Sequence, residues 1–239
     1  LLGLSSGAAL GAVLFLLLGL TLLMPLGAFF GSLGALALAL LIAQLLGGAT
    51  PSRAILAGIS IAALASAATS FLIFWSATGD SYREILSWLM GSLSGSTWSD
   101  AGLVCLALAA CLPIILANGR ALDAFAFGDT AAASLGIDVP RLRWTLLGAT
   151  ALLTGIMVAI GGAIGFVGLV VPHAVRLAVG SAHRKLLPHV ILAGAIFMLW
   201  TDTAARTLFD PRELPVGIIT ALIGAPVFLA VLLRYRRIT

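Results

Sequence analysis

Charge is scarce in this chain. Only 9% of its 239 residues are Asp, Glu, Lys or Arg, against 61% hydrophobic, and mean hydropathy is +1.17. A soluble domain carries roughly 25% charged residues, so this composition excludes a water-exposed globular fold and leaves a membrane-embedded one. Lysine is nearly absent: Lys185 is the only one, and it follows no glycine-rich loop. That excludes a Walker A phosphate cradle, and with it ATP hydrolysis by this chain. Cysteine is limited to Cys105 and Cys111 in one apolar stretch; about 600° of helix separates them, so they face different ways and are not expected to pair. The three histidines, His173, His183 and His189, form neither an HExxH pair nor a dense Cys/His cluster, and no GxSxG elbow occurs. No metal, cofactor or catalytic constellation is expected. The pI near 9.8 rests on 13 basic against 9 acidic residues, too small an excess to argue for a nucleic-acid partner.

What the chain has is apolar runs. A bilayer helix needs roughly 20 mostly apolar residues, and eight such spans can be read, near 4–23, 27–46, 54–75, 100–117, 143–160, 163–180, 187–207 and 215–233. The fold class expected is an all-α polytopic membrane bundle forming a single transmembrane domain over 1–239. Turn chemistry separates the spans at MPLG, GGATPSR and DPRELP. The division at Gly161–Gly162 is the weakest, and charge settles it. With eight alternating spans and a cytoplasmic C-terminus, ten of the thirteen basic residues fall inside, leaving Arg83, Arg206 and Arg212 outside. Merging the two spans would push the Arg141/Arg143 or the Arg184/Lys185 loop outward. GxxxG pairs at Gly7/Gly11, Gly27/Gly31, Gly91/Gly95 and Gly161/Gly165 predict close helix contacts. The opening LLGLSSGAAL has no Met and no basic flank, so it is unlike a signal peptide and reads as the interior of a longer array.

Four polar features stand out from this background. Residues 80–99 are amphipathic, and Trp75, Tyr82, Trp88 and Trp98 are spaced like an interfacial belt; a short helix near 81–91 on the outer surface is expected. Asp202 and Arg206 are spaced i, i+4 near the outer end of the seventh span and can pair on one face. His173 and Arg176 follow Pro172 at the inner end of the sixth span, where they read as a helix terminus rather than a proton relay. Finally, AFGDTAAASLGID at 126–138 spells a helix of under two turns: Asp129 as N-cap, an alanine-rich middle, and Gly136 as the C′ residue.

Taken together, GFVGLVVPHAVRL, HRKLLPH, DTAAR and ELPVGIITALIGAPVFLAVLLR, in that order, with LLGLSSGAALGAVL and WLMGSLSGSTW before them, resemble FecCD-type permeases along the whole chain. These are the membrane subunits of ABC importers for iron–siderophores, haem and cobalamin. The resemblance implies ten transmembrane helices with both termini cytoplasmic, of which this chain holds helices three to ten. It implies a bacterial inner-membrane location and partners: ATP-binding cassette subunits, a periplasmic or lipid-anchored substrate-binding protein, and a second permease copy, all within membrane lipid. It makes GDTAAASLG the ATPase-coupling loop, with Asp129, Ala131, Ala132 and Gly136 in family positions, Thr130 inserted between the acid and the alanines, and Gly128 and Leu135 part of the same element. It makes Pro51 and Ser52 a cytoplasmic gate and Arg206 a docking residue for a glutamate of the binding protein. The pathway lining is expected along 54–70, mostly small and apolar. The ligand implied is a metal chelate, iron–siderophore first and haem next. An ion-coupled secondary transporter using Asp202 and Arg206, and a non-transporting scaffold, are the competing readings.

Overall fold

The structure is a computed structural model, and it describes residues 3–46, 51–76, 88–209 and 213–235. Among the described residues, ten α-helices follow in order: α1 (Leu4–Leu17), α2 (Met24–Leu45), α3 (Pro51–Ser76), α4 (Trp98–Ala117), α5 (Gly119–Phe125), α6 (Asp129–Ser134), α7 (Val139–Gly161), α8 (Val167–Val179), α9 (His183–Thr207) and α10 (Val216–Tyr235). By length and composition, α2, α3, α4, α7 and α9 can each cross a bilayer; α1, α8 and the Val216–Ala230 stretch of α10 are shorter apolar helical stretches at the other three predicted places. The expected surface helix at 81–91 lies mostly outside the described residues.

The chain divides into two compact units, Leu1–Cys111 with Leu147–Ala163, and Leu112–Leu146 with Ile164–Thr239. In the first, α1, α2 and α3 pack on one another. Their core is built from alanine: Ala8, Ala12, Ala28, Ala35, Ala39 and Ala43 are buried. Small side chains are needed because the backbones nearly touch. A methyl group on Gly7 would run into the Gly31 carbonyl, and one on Gly11 into that of Gly27. The first two GxxxG pairs therefore pack against each other, with dispersion and Cα–H···O contacts replacing the hydrophobic drive that lipid cannot supply. The later part of α7 joins this unit: Ser32 Oγ donates to the Ala151 carbonyl at 3.1 Å, and Gly155 lies against Phe29. We expect Gly11→Val to cost at least the roughly 1–3 kcal/mol of an overpacked core, read as a lowered detergent-melting temperature; an unchanged value would refute the crossing.

In the other two GxxxG pairs the close contact is at Gly91, whose Cα would lie 3.0 Å from a Cβ on Gly162. Gly95 and Gly165 meet no neighbouring chain, and the close approach falls on Gly162 instead, where a Cβ would collide with the Trp88 carbonyl. Gly162 has φ +70° and terminates α7, and the Ser92 N–H donates to the freed Gly161 carbonyl at 2.9 Å. The division between the sixth and fifth predicted spans is thus real. Trp88 packs among Ala8, Val13, Ala28 and Ile73 rather than at a surface, while Trp75 and Trp98 sit exposed at helix ends; Tyr82 lies outside the described residues.

In the second unit, α9 packs on α8 and α10, and α5 packs on α9 and α6. The chain enters α8 through Phe166, a non-glycine residue in the left-handed region at φ 65°, a conformation costing roughly 1–2 kcal/mol. Its ring compensates by filling the notch at Gly224, where a Cβ would meet it. Pro172 lies inside α8, and Arg176 is in its last turn, as the terminus reading expects. The helix runs on to Val179 and stops at Gly180, φ 85°, so His173 is an interior residue: Nδ1 bonds the Leu169 carbonyl at 2.6 Å and the ring sits edge-on to Phe228 at 5.7 Å.

Candidate functional site

The polar turn between α5 and α7 is built as follows. Gly128, φ 97°, takes the N-cap position, which corrects the expectation that Asp129 does. Asp129 is the first helical residue, and its carboxylate is drawn elsewhere: Arg143 Nη2 on α7 donates to both oxygens at 2.7 Å. A guanidinium outcompetes backbone amides for a carboxylate because its hydrogen bonds are charge-assisted. The pair is half-exposed, so it works mainly as a geometric pin of α6 to α7.

The C-terminal end follows the sequence reading. Gly136 has φ 80°, its N–H donates to Ala133 at 2.9 Å, and the Ile137 N–H reaches back to Ala132 at 3.3 Å. This is a Schellman closure, and its usual apolar partner contact is present, Ile137 packing with buried Ala132, Ala124 and Val139. Immediately after it, Asp138 caps α7, accepting from the Arg141 N–H at 3.2 Å. A six-residue helix has no stability of its own; here it is fixed by glycine turns at both ends, an ion pair and one buried face.

Its other face is bare. Thr130, Ala133 and Ser134 are exposed, Ala131 is half-buried, and Leu135 is 72% exposed. Phe127, just ahead of the helix, is 82% exposed. Sequence reasoning passed over Phe127; the available signal was a large aromatic in an otherwise polar, small-residue turn. Two bulky apolar side chains flanking a rigid polar helix form the kind of surface that a protein partner covers.

A second pin ties this region to α9. Ala182, at the N-cap of α9, has no capping side chain, and Asp123 of α5 supplies it from 60 residues away. Asp123 accepts from the His183 N–H at 2.8 Å and from its ring Nδ1 at 2.6 Å. His183 is therefore the first residue of a helix, not a loop residue. The His183 N–H foremost, and then its ring, hold the Asp123 carboxyl below the ordinary aspartate range. Such a depressed group stabilises the junction fully above the unfolded value near 3.8 and loses that contribution as pH falls through the lower native value. We expect the protection of the amides at the start of α9, measured as exchange relative to the intrinsic rate at each pH, to fall on acidification from about pH 5 to about pH 2. Asp123→Ala should show low protection throughout, without this acid dependence; an identical protection profile in wild type and variant would refute the cap.

The remaining predicted residues are placed as follows. Pro51 and Ser52 open α3, where proline suits the first turn, and Ser52 is exposed. Arg206 Nε donates to Asp202 Oδ2 at 2.8 Å across one helical turn, in the last turn of α9, where the helix dipole favours a cation. The 54–70 stretch offers an open side, with Ile55, Leu56, Ile59 and Leu64 exposed, while Ala57, Ile61 and Ala65 pack inward. Among the described residues, no group of three or more His, Cys, Asp or Glu side chains could hold a metal ion.

The chain matches the FecCD transport family over residues 1–234. It belongs to that family. The vitamin B12 import system permease BtuC of Vibrio vulnificus is 40% identical over 238 residues, 98% of this chain and 71% of that protein. The hemin transport system permease HmuU of Yersinia pestis is 41% identical over 244 residues, 99% of this chain and 72% of that one. A solved structure described as a metal-chelate type ABC transporter in an inward-facing conformation superposes with a TM-score of 0.89 at 34% identity, covering 98% of this chain and 74% of its own. This FecCD-family chain is thus an ABC importer permease, a multi-pass membrane protein with a transport rather than an enzymatic role.

Proposed function

We propose that this chain, acting as one permease domain with eight spans in a bacterial inner membrane, moves a metal chelate inward. Its C-terminus is cytoplasmic, and a second copy completes the pathway. The chelate is handed over by a substrate-binding protein at Arg206, passes along α3 and leaves by Pro51 and Ser52. The named relatives carry cobalamin and haem, which moves tetrapyrrole chelates ahead of the iron–siderophore that the resemblance alone put first. The energy comes from separate ATPase subunits seated on α6, with Gly128, Asp129, Thr130, Ala131, Ala132, Leu135 and Gly136 as the coupling element.

The observation that carries this reading is the doubly pinned α6. A lever that passes motion as a rigid-body displacement must not bend under load. Here the Arg143–Asp129 and Asp123–His183 links tie a capped helix to α7 and, through α5, to α9. The test is reconstitution in liposomes with the ATPase and the binding protein. Uptake of cyanocobalamin or haem should require ATP and the binding protein. Uptake driven by a pH gradient without ATP would instead favour ion coupling through Asp202 and Arg206.

A further inference from the structure

Hydroxyl groups gather at one place in the first unit. Ser5 and Ser6 of α1 and Ser66, Thr69 and Ser70 of α3, closed off by Leu89 and Ala163, line a cavity of about 200 Å³. Counted along the helix, Ser66 to Ser70 lie about 22–29 Å into an α3 of about 39 Å, within its spanning part. Exposed hydroxyls elsewhere silence themselves on their own backbone: Ser60, further up α3, bonds Leu56, and on α9 Thr203 bonds Leu199 and Thr207 bonds Thr203. Ser5 and Ser70, both exposed, bond no described residue. In a segment that crosses a bilayer, a hydroxyl left open to hydrocarbon costs free energy, so this side of α1 and α3 faces something polar.

The polarity of the cluster can be worked out. Ser66 Oγ donates to Ser6 Oγ at 3.4 Å, which leaves the Ser6 proton free to be donated onward. Thr69 spends its proton on the Ala65 carbonyl at 2.8 Å. The cavity therefore offers three O–H donors, from Ser5, Ser6 and Ser70, which can converge on an acceptor atom of a ligand, beside the lone pairs that every hydroxyl keeps. It holds roughly seven waters' worth of space, far less than a whole chelate and enough for one side arm.

We infer that this cavity is a resting station for the chelate during passage, its hydroxyls donating to a carbonyl or carboxylate oxygen on a peripheral arm. The inference rests on the chelate-import reading above and adds a polar contact to a pathway otherwise lined by apolar groups. Cobalamin-type chelates present amide oxygens and haem presents carboxylates, so the two probes separate the sources of that acceptor.

The test uses the complete importer with its ATPase and binding protein in liposomes. Ser5→Ala/Ser70→Ala should lower the specificity constant for uptake by about fivefold for each hydrogen bond lost. A drop with cyanocobalamin only assigns an amide arm, and a drop with haem only assigns a carboxylate. Separately, Ser70→Cys, made with Cys105 and Cys111 changed to Ser, should be protected from a thiol-reactive maleimide when chelate is trapped in the complex. Wild-type uptake by the double variant with both probes, or labelling indifferent to chelate, overturns the station while leaving chelate import standing. A wild-type complex that takes up neither probe with ATP overturns the import reading, and the station falls with it.

Discussion

Gly136→Pro should leave the chain inserted and its ATPase attached and hydrolysing, yet cut ATP-driven uptake roughly a hundredfold, as expected for about 3 kcal/mol placed on one hinge. Gly136 sits at φ 80°, and its N–H donates to Ala133 at 2.9 Å. Proline fixes φ near −65° and has no N–H, so it removes both the left-handed turn and the hydrogen bond that close α6. The Ile137 bond to Ala132 then loses its geometry, and the last turn unwinds just where the lever must stay stiff. Space is not the difficulty, since nothing lies within 4 Å of a Cβ at Gly136. Gly136→Ala should accordingly cost only about 1 kcal/mol, from backbone strain alone, and slow uptake by about fivefold. Parallel assays of ATP hydrolysis and chelate uptake check this. Normal uptake by the proline variant would mean that α6 is not the coupling element.

Phe127→Ala/Leu135→Ala should act on attachment rather than on transmission. These side chains are 82% and 72% exposed beside a helix whose buried face is already satisfied. Removing them therefore leaves no cavity in this chain. If they are anchors in a pocket of the ATPase, each should be worth about 2 kcal/mol or more of binding, so the double variant should lose its ATPase on purification, with affinity down at least a hundredfold. Thermal stability of the isolated chain should stay within about 0.5 kcal/mol of wild type, as for surface substitutions. Undiminished co-purification would remove Phe127 and Leu135 from the interface.

Much of the architecture was legible before any coordinates because membrane insertion depends on local composition. Apolar length marks where helices lie, and the α7–α8 division at Gly161–Gly162 emerged from basic-residue placement alone. The short helix at 129–134 and its Gly136 stop were readable for a similar reason: capping is a matter of a few adjacent residues. The same locality explains the misses. Asp129 is a good N-cap by type, but Arg143 is nearby in the fold and takes its carboxylate. His173 and Arg176 together read as a helix terminus; Arg176 is in the last turn of α8, while His173 lies inside the helix. Gly165 looked like a contact and has none, while Gly162 does.

The sequence by itself determined the solvent, the order of the apolar segments and the short capped helix between them. Each follows from composition or from residues within a turn or two of one another. Only the tertiary structure decided which polar groups answer one another: Asp123 capping a helix 60 residues on, Ser6 meeting Ser66, and Asp129 bound to Arg143. Such partnerships depend on angles and distances between helices whose sequences carry no record of their neighbours. In a chain with few charges, each partnership fixes a large share of the specific geometry, since apolar contact with lipid and with protein differ little in free energy.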